Sequence, residues 1–434
     1  MTGYKQVVLV LGGVAVVVMG CGLGPQQPPR DAAIAALLRV GRVRCDPQNP
    51  QRVVEVSLIT YQPFWSTYSI YDRDLQHLRE LRDLKKLRIQ SDKATDAGLA
   101  NIKDLTTLES LDLELGGITD ARLALLRNLT NLRELRIIGN CAFSDDGLAA
   151  LTKMSRLESL EFTGWHVTPR GLSHLQELKH LRRLKVAGVF SDQELEQLQD
   201  LTELRSLEVG FQALTDAGLA FLRDMTKLEA LDLQTAPTAI GRKENHITDD
   251  GLQNLQGMSH LATLHLPPGI GDPGIAHLRG LTNLRKLDLS STHVTDAGLQ
   301  HLAAWPDLEF LAIDGCPVSD AGLKHVAGLS EVRQLQLSGT RVTDQGLKRL
   351  AACKHLQELH LNQTAISDAG LAELAPLIDL KVLQLRDTAV TERCLQHLTG
   401  MSDLKDLWLP EQGVTLPELE VIRRALPKVW VRVY

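Results

Sequence analysis

Aromatic side chains are scarce in this 434-residue chain: Phe, Tyr and Trp make up 4% of it, although hydrophobic residues as a whole reach 44%. A large single interior draws much of its burial from aromatic bulk, so an almost wholly aliphatic core points to many small, similar layers. Basic charge is not in excess either. With 47 Lys and Arg against 53 Asp and Glu the formal net charge is −6, which argues against a nucleic-acid-binding protein or one held to anionic lipid by charge alone. Cysteine is rare, 6 in all, and its spacing gives neither a disulfide framework nor a CxxC or Cys/His cluster for zinc. Cys141, Cys316, Cys353 and Cys394 fall inside repeated segments, and Cys316 and Cys353, where neighbouring repeats carry Thr292 and Leu329, read as small buried thiols. No GxSxG, HExxH, P-loop or dinucleotide-binding fingerprint occurs. Neither catalysis nor a cofactor or metal is expected.

A bilayer-spanning run is missing as well, since a helix needs about 20 apolar residues to cross. The nearest approach is Val7–Met19, preceded by Lys5 and followed by Gly20, Cys21, Gly22, Leu23, Gly24 and Pro25. That length and small-residue end suit the h-region of a signal peptide over residues 1–21. Val18-Met19-Gly20-Cys21 also resembles the bacterial lipobox, which implies a diacylated Cys21, a membrane attachment through that lipid and a place in the cell envelope. Plain secretion and an uncleaved anchor are rival readings. Residues 22–30, with Gln26–Arg30 (QQPPR), read as a tether.

What the chain has in abundance is one repeated unit. Leu284–Leu299 (LRKLDLSSTHVTDAGL) is followed 24 residues later by Leu308, Leu311, Ile313, Cys316, Val318, Asp320, Gly322 and Leu323. The glycine column runs through Gly98, Gly147, Gly171, Gly218, Gly251, Gly274, Gly298, Gly322, Gly346 and Gly370, with Asp74, Arg122, Glu194, Cys394 and Glu418 in degenerate units. About fifteen units thus occupy residues 53–425. Each has two halves. The Leu-x-Leu half alternates as a strand does. The half that opens with Thr-Asp or Ser-Asp carries Leu299 and Leu302 at helical spacing, its hydroxyl suited to cap orphan N–H groups and its aspartate to the helix dipole. One unit cannot bury its leucine face alone; stacked units can. At about 4.8 Å per strand the array spans on the order of 70 Å. Residues 31–52, with an amphipathic helix over Asp31–Val40 and a hairpin of Arg42–Cys45 with Val53–Leu58, read as an N-terminal cap. Residues 426–434 read as a closing strand, so both ends look finished and no further domain is expected.

The unit LxxLxLxxTxVTDAGLxxLxxLxx resembles the cysteine-containing class of leucine-rich repeats, and is similar to the versions multiplied in planctomycetes. That class also supplies the solenoids of F-box receptors. The resemblance implies an α/β leucine-rich-repeat solenoid, a horseshoe with parallel strands on its concave face and short helices on its convex face. The class usually has Cys or Asn where this chain has Thr292, Thr340, Thr364 and Thr388, and no segment is left for an F-box.

Candidate binding residues follow from exposed strand positions and from breaks in the period. The central outward position of successive strands reads Arg88, Asp112, Arg136, Glu161, Lys185, Glu208, Asp232, His265, Asp288, Ala312, Gln336, His360, Gln384 and Trp408. The first six alternate in sign and read as a self-neutralised surface. The last third is mostly uncharged. There Phe310, His360, Val382, Gln384, Arg386, Asp406 and Trp408 form the candidate site for a protein partner, in the manner of aromatic and arginine hot spots. Trp408 and Val382 packing under the C-terminal cap is the competing view. Between Gly218 and Gly251 the period stretches to 33 residues. The excess around Thr235–Glu244, with Thr238, Arg242 and Lys243, is either a contact loop or a tolerated insertion. Tyr61–Ser69 is a second insertion, whose aromatics either pack on the cap or meet a partner. The bulky Phe143, Trp165 and Phe190 read as core filling where the period slips. His277, His301 and His325 recur in consecutive units, but helices about 8–10 Å apart do not bring three imidazoles to one metal. The expected function is a non-catalytic, lipid-anchored scaffold binding a protein along its concave face. A self-associating structural surface protein and an intracellular adaptor are the alternatives.

Overall fold

The computed structural model describes residues 6–11, 14–19, 28–49, 51–59, 69–164, 166–234 and 245–433. Each repeat takes the form its two periods dictate. Around residue 287 the strand is Lys286–Asp288, with Leu287 and Leu289 fully buried and Lys286 and Asp288 facing outward. A turn follows at Ser291, whose φ of 61° is left-handed. Thr292 then turns its hydroxyl inward and donates 2.7 Å to the Leu289 carbonyl. Val294 returns the chain to the core, and the Gly298–Ala304 helix buries Leu299 and Leu302. Among the described residues fifteen strands of this kind run from Val53–Ile59 to Asp406–Leu409.

The chain divides into two compact units, Met1–Val189 with Gln193–Gly210 and Phe190–Asp192 with Phe211–Tyr434. In the first, the capping helix is Pro28–Leu37, three residues ahead of the expected Asp31, and it buries Ala33, Ile34 and Leu37. Arg42–Cys45 pairs antiparallel with Val53–Ile59, as the sequence predicts, and the strands from there to Arg183–Phe190 join in parallel. Gln6–Leu11 and Val14–Met19, inside the predicted signal segment, pair with each other as antiparallel strands. No helix among the described residues is long and apolar enough to cross a membrane. Cys21, Trp165 and all of the Tyr61–Ser69 insertion but Ser69 lie outside the described residues. Phe143 and Phe162 are both buried with ring centroids 5.8 Å apart, and Phe190 is buried too, so aromatic bulk fills this irregular stretch of core.

In the second unit the strands from Ala230–Asp232 to Trp430–Val433 are all parallel. The closing strand begins at Trp430, after the Leu416–Ala425 helix, which Thr415 and Glu418 open as a capping box. Thr238, Arg242 and Lys243 lie outside the described residues. The flank of that insertion is anchored by Asn245, which accepts from the Leu214 N–H at 3.0 Å and donates to the Leu233 carbonyl at 2.9 Å.

The aspartate column does more than start helices. Each carboxylate reaches into the next repeat and accepts both the backbone N–H and the hydroxyl of its Thr or Ser. Thr343 donates to Asp320 at 2.8 and 2.7 Å, and Ser367 to Asp344 at 2.8 and 2.6 Å. The link is charge-assisted and joins neighbours only. It also accounts for the glycine column: a Cβ added at Gly147 would lie 2.5 Å from an Asp120 oxygen. The exceptions fit. Glu194 occupies the column where the preceding repeat carries Pro169 instead of aspartate. Arg122 occupies it over Asp96 and converts the link to an ion pair, its Nε 2.5 Å from the carboxylate.

Candidate functional site

The outward positions of the strands form the two surfaces on which a partner could rest. On the first unit, neighbouring strands bring residues 24 or 25 apart side by side, and the alternating signs become a chain of ion pairs. Arg88 lies 3.1 Å from Asp112, Arg136 2.9 Å from Asp112 and 3.0 Å from Glu161, and Lys185 3.9 Å from Glu161 and 3.1 Å from Glu208. A parallel row includes Lys85 with Glu109 at 2.7 Å and Arg133 with Glu158 at 2.5 Å. Between the charges, the short Ser110, Ser159 and Ser206 leave a depression of about 340 Å³. Each acid in the central column therefore has a cation beside it. Exposed pairs of this kind contribute little stability one by one, about 0–1 kcal/mol, but they leave few charges for a partner.

The second unit is different. Asp232 and His265 pair at 3.4 Å. That bond raises the His265 pKa above the usual imidazole value, against the opposing effect of burial. Beyond Asp288 the central column is uncharged as far as Trp408. Ala312, expected at an outward position, is fully buried, because its single methyl is closed over by longer neighbours. Asn362 donates to Gln384 at 2.9 Å and accepts the Arg386 N–H at 2.9 Å, so that corner is satisfied internally. Gln334, Gln336, Glu358 and His360 are not: half-buried, their side chains make no hydrogen bond or ion pair among the described residues. Burial lowers the His360 pKa, with the nearby Asp314 and Glu358 acting the other way. The Asp314 carboxyl is raised by its own burial despite bonds from Ser338.

Of the residues expected from sequence, Val382 neighbours Asp406 and Gln384 neighbours Trp408 across one strand pair. His360 lies one strand further and Phe310 three strands from Val382. Arg386 is exposed and pairs with Asp387 at 3.4 Å. Trp408 is half-buried and already engaged: its indole N–H donates to Asp406 at 3.2 Å, and the Arg432 guanidinium lies 5.1 Å from its ring. Arg432 also stands 4.4 Å from the Trp430 ring and 3.4 Å from Asp406. Trp430 is 67% exposed. Sequence reasoning missed Arg432 and Trp430, which belong to the closing strand, and Gln336, Glu358 and Asp314. The usable signal for Glu358 and Asp314 was the absence of an opposite charge at the same position of the adjoining repeats.

Ser338, Asp314 and His360 meet on this face, but Ser338 engages Asp314, its N–H at 2.5 Å, rather than the imidazole. No nucleophile–base pair results. On the helix side, Arg279 donates to His301 at 3.0 Å and Gln256 contacts His277 at 3.3 Å. Two of the three histidines thus meet a polar neighbour from the preceding repeat. Among the described residues no three His, Cys, Asp or Glu gather as metal ligands. Cys141, Cys316, Cys353 and Cys394 are free and buried, and burial pushes Cys353 to about 11 and Cys394 to about 12, which makes them unreactive at neutral pH. Cys45 is disulfide-bonded.

Residues 148–322 match a family model described as "Leucine-rich repeat region", and residues 128–151 and 352–375 match one described as "Leucine Rich repeat". No curated protein matches the chain. An internalin from Listeria monocytogenes is similar in structure at a TM-score of 0.50 and 20% identity, over 88% of this chain and 95% of that one. A leucine-rich-repeat protein of Leptospira interrogans gives 0.54 and 18%, over 82% and 85%. The ectodomain of the Arabidopsis receptor kinase HAESA, solved with a peptide hormone ligand, gives 0.50 and 18%, over 90% and 71%. At these identities the likeness is one of fold.

Proposed function

We propose, from the premise that the chain is a leucine-rich-repeat protein, that it is a non-catalytic scaffold binding another protein on the strand face of its second unit. One observation carries the reading. Outward acids of the first unit's central column are matched to cations, whereas Gln334, Gln336, Glu358 and His360 lie half-buried together and their side chains make no hydrogen bond or ion pair among the described residues. Side chains not committed to one another keep their donors and acceptors for a docked polypeptide, which takes over the bonds that water otherwise makes. The ectodomain of HAESA, of similar fold, holds a peptide ligand, which supports the same use here. Attachment to the cell envelope through an acylated Cys21 belongs to this proposal, with Val7–Met19 and the lipobox-like segment as its support. Self-association as a structural surface protein and an intracellular adaptor role are the competing readings.

The test is site-directed photocrosslinking in the native host, with the crosslinker at position 336 or at position 185. A partner labelled from 336 alone, whose affinity falls by about tenfold or more in Gln336→Ala/His360→Ala, is the expected result. Equal labelling from both positions, or unchanged affinity, would overturn the reading.

A further inference from the structure

The closing strand Trp430–Val433 pairs on one side only among the described residues, with Asp406–Leu409. A parallel strand turns the backbone groups of alternate residues to opposite sides. Trp430 sends its N–H to the Lys405 carbonyl at 2.6 Å, so Trp430 and Arg432 bond towards the sheet. The N–H and C=O of Val431, and the N–H of Val433, therefore face away from it. Such an edge is a template on which a further strand can form. It is not bare. Arg423, in the last turn of the Leu416–Ala425 helix, reaches across and donates from Nη2 to the Val431 carbonyl at 3.2 Å. That carbonyl is not one the helix leaves open: it belongs to the strand beyond. From residue 421 to residue 433 the chain carries Arg423, Arg424, Lys428 and Arg432 and no acid. Arg424 meets Glu420 at 3.4 Å and Arg432 meets Asp406 at 3.4 Å, whereas Arg423 forms no ion pair among the described residues.

We propose that Arg423 guards this edge: it occupies the carbonyl that a second copy of the chain needs in order to add its own closing strand, and so keeps two copies from pairing there. The excluded occupant is a second copy because one edge fits its own duplicate. Antiparallel alignment about a twofold axis sets two closing strands side by side, where the outward groups of Val431 and Val433 find complements and the exposed Trp430 gains a neighbour. With Arg423 in place the carbonyl is already bonded. The same alignment also brings two basic segments together, and like charges across an interface are costly. An inward-reaching charge is one of the devices by which sheet edges are kept from pairing. The inference is independent of the partner-binding reading, which concerns the strand face and not its edge.

Sedimentation of the full chain over a range of concentrations, with hydrogen exchange of residues 430–433 followed alongside, tests the guard in the wild type, Arg423→Ala and Arg423→Lys. Arg423 is exposed, so its replacement leaves the core intact. Arg423→Ala is expected to dimerise at least about tenfold more tightly than the wild type, with the Val431 and Val433 amides gaining protection as the dimer forms. Arg423→Lys keeps a cation and a donor, and is expected to sediment as the wild type does. An Arg423→Ala chain no more associated than the wild type would overturn the proposal. So would association that leaves the amides of residues 430–433 unprotected, or a wild-type chain already paired through them.

Discussion

Trp408 and His360 occupy equivalent positions two repeats apart, and their neighbours give them opposite roles. His360 makes no side-chain hydrogen bond or ion pair among the described residues. Trp408 has Asp406 at its N–H and Arg432 beside its ring. Truncating a half-buried indole removes burial and a cation–π contact together, so Trp408→Ala should cost about 2 kcal/mol. A lowered melting temperature with unchanged partner affinity is the expected result; lost affinity at constant stability would restore Trp408 as an anchor. The position of Trp408 on the strand face was legible, because the Leu-x-Leu alternation fixes which residues point outward. Its engagement was not. Arg432 arrives from a closing strand that follows a helix and obeys no repeat, so no column predicts which residue it faces. Ala312 failed for a related reason: alternation says which way a side chain points, not whether its neighbours are long enough to cover it.

At the level of the element, the helix starts were legible as caps and dipole partners, and the N-cap bonds are there: the Gln345 N–H donates to the Thr343 hydroxyl at 3.3 Å. The reach of each aspartate into the following repeat was not, since a 24-residue period aligns columns without saying which atoms of adjacent units touch. That reach makes a specific prediction. Gly346→Ala places a methyl against Asp320 and should destabilise by about 1–3 kcal/mol, as overpacking does. Removing the carboxylate relieves the clash, so Asp320→Ala/Gly346→Ala should cost less than the sum of the single changes. Strict additivity in denaturant unfolding would show that the glycine is there for some other reason.

For the whole molecule, the two units divide the work. The first unit's central column is closed upon itself by ion pairs, and the second keeps unpaired groups on its face. The sequence conveyed the charge alternation that produces the former, and the uncharged run that produces the latter, but not that Trp408 would be engaged while Gln336 and Glu358 make no side-chain hydrogen bond or ion pair among the described residues. Attachment is the property that concerns the chain as a unit. With acylation at Cys21, Cys21→Ala should shift the protein from the detergent phase to the aqueous phase, because the lipid supplies the membrane affinity. Unchanged partitioning would remove the lipid from the picture.

The aspartate links have a consequence for how the chain finds its alignment. Identical fasteners repeated along a tape can close one hole out of step. Asp296 bonds Ser319, and Asp320 bonds Thr343, through the same atoms in the same geometry. A folding chain that looped out one repeat would complete its remaining bonds just as well, and misassembly between near-copies is a characteristic hazard of repeat proteins. The irregular members supply the landmarks. Arg122 answers its aspartate with an ion pair where a glycine repeat uses an N–H and a hydroxyl. Glu194 needs a predecessor without a carboxylate, which Pro169 provides, and Gly271 offers Asp249 an N–H but no hydroxyl. These departures from the consensus tell one repeat from the next, and so keep a tape of near-copies in step.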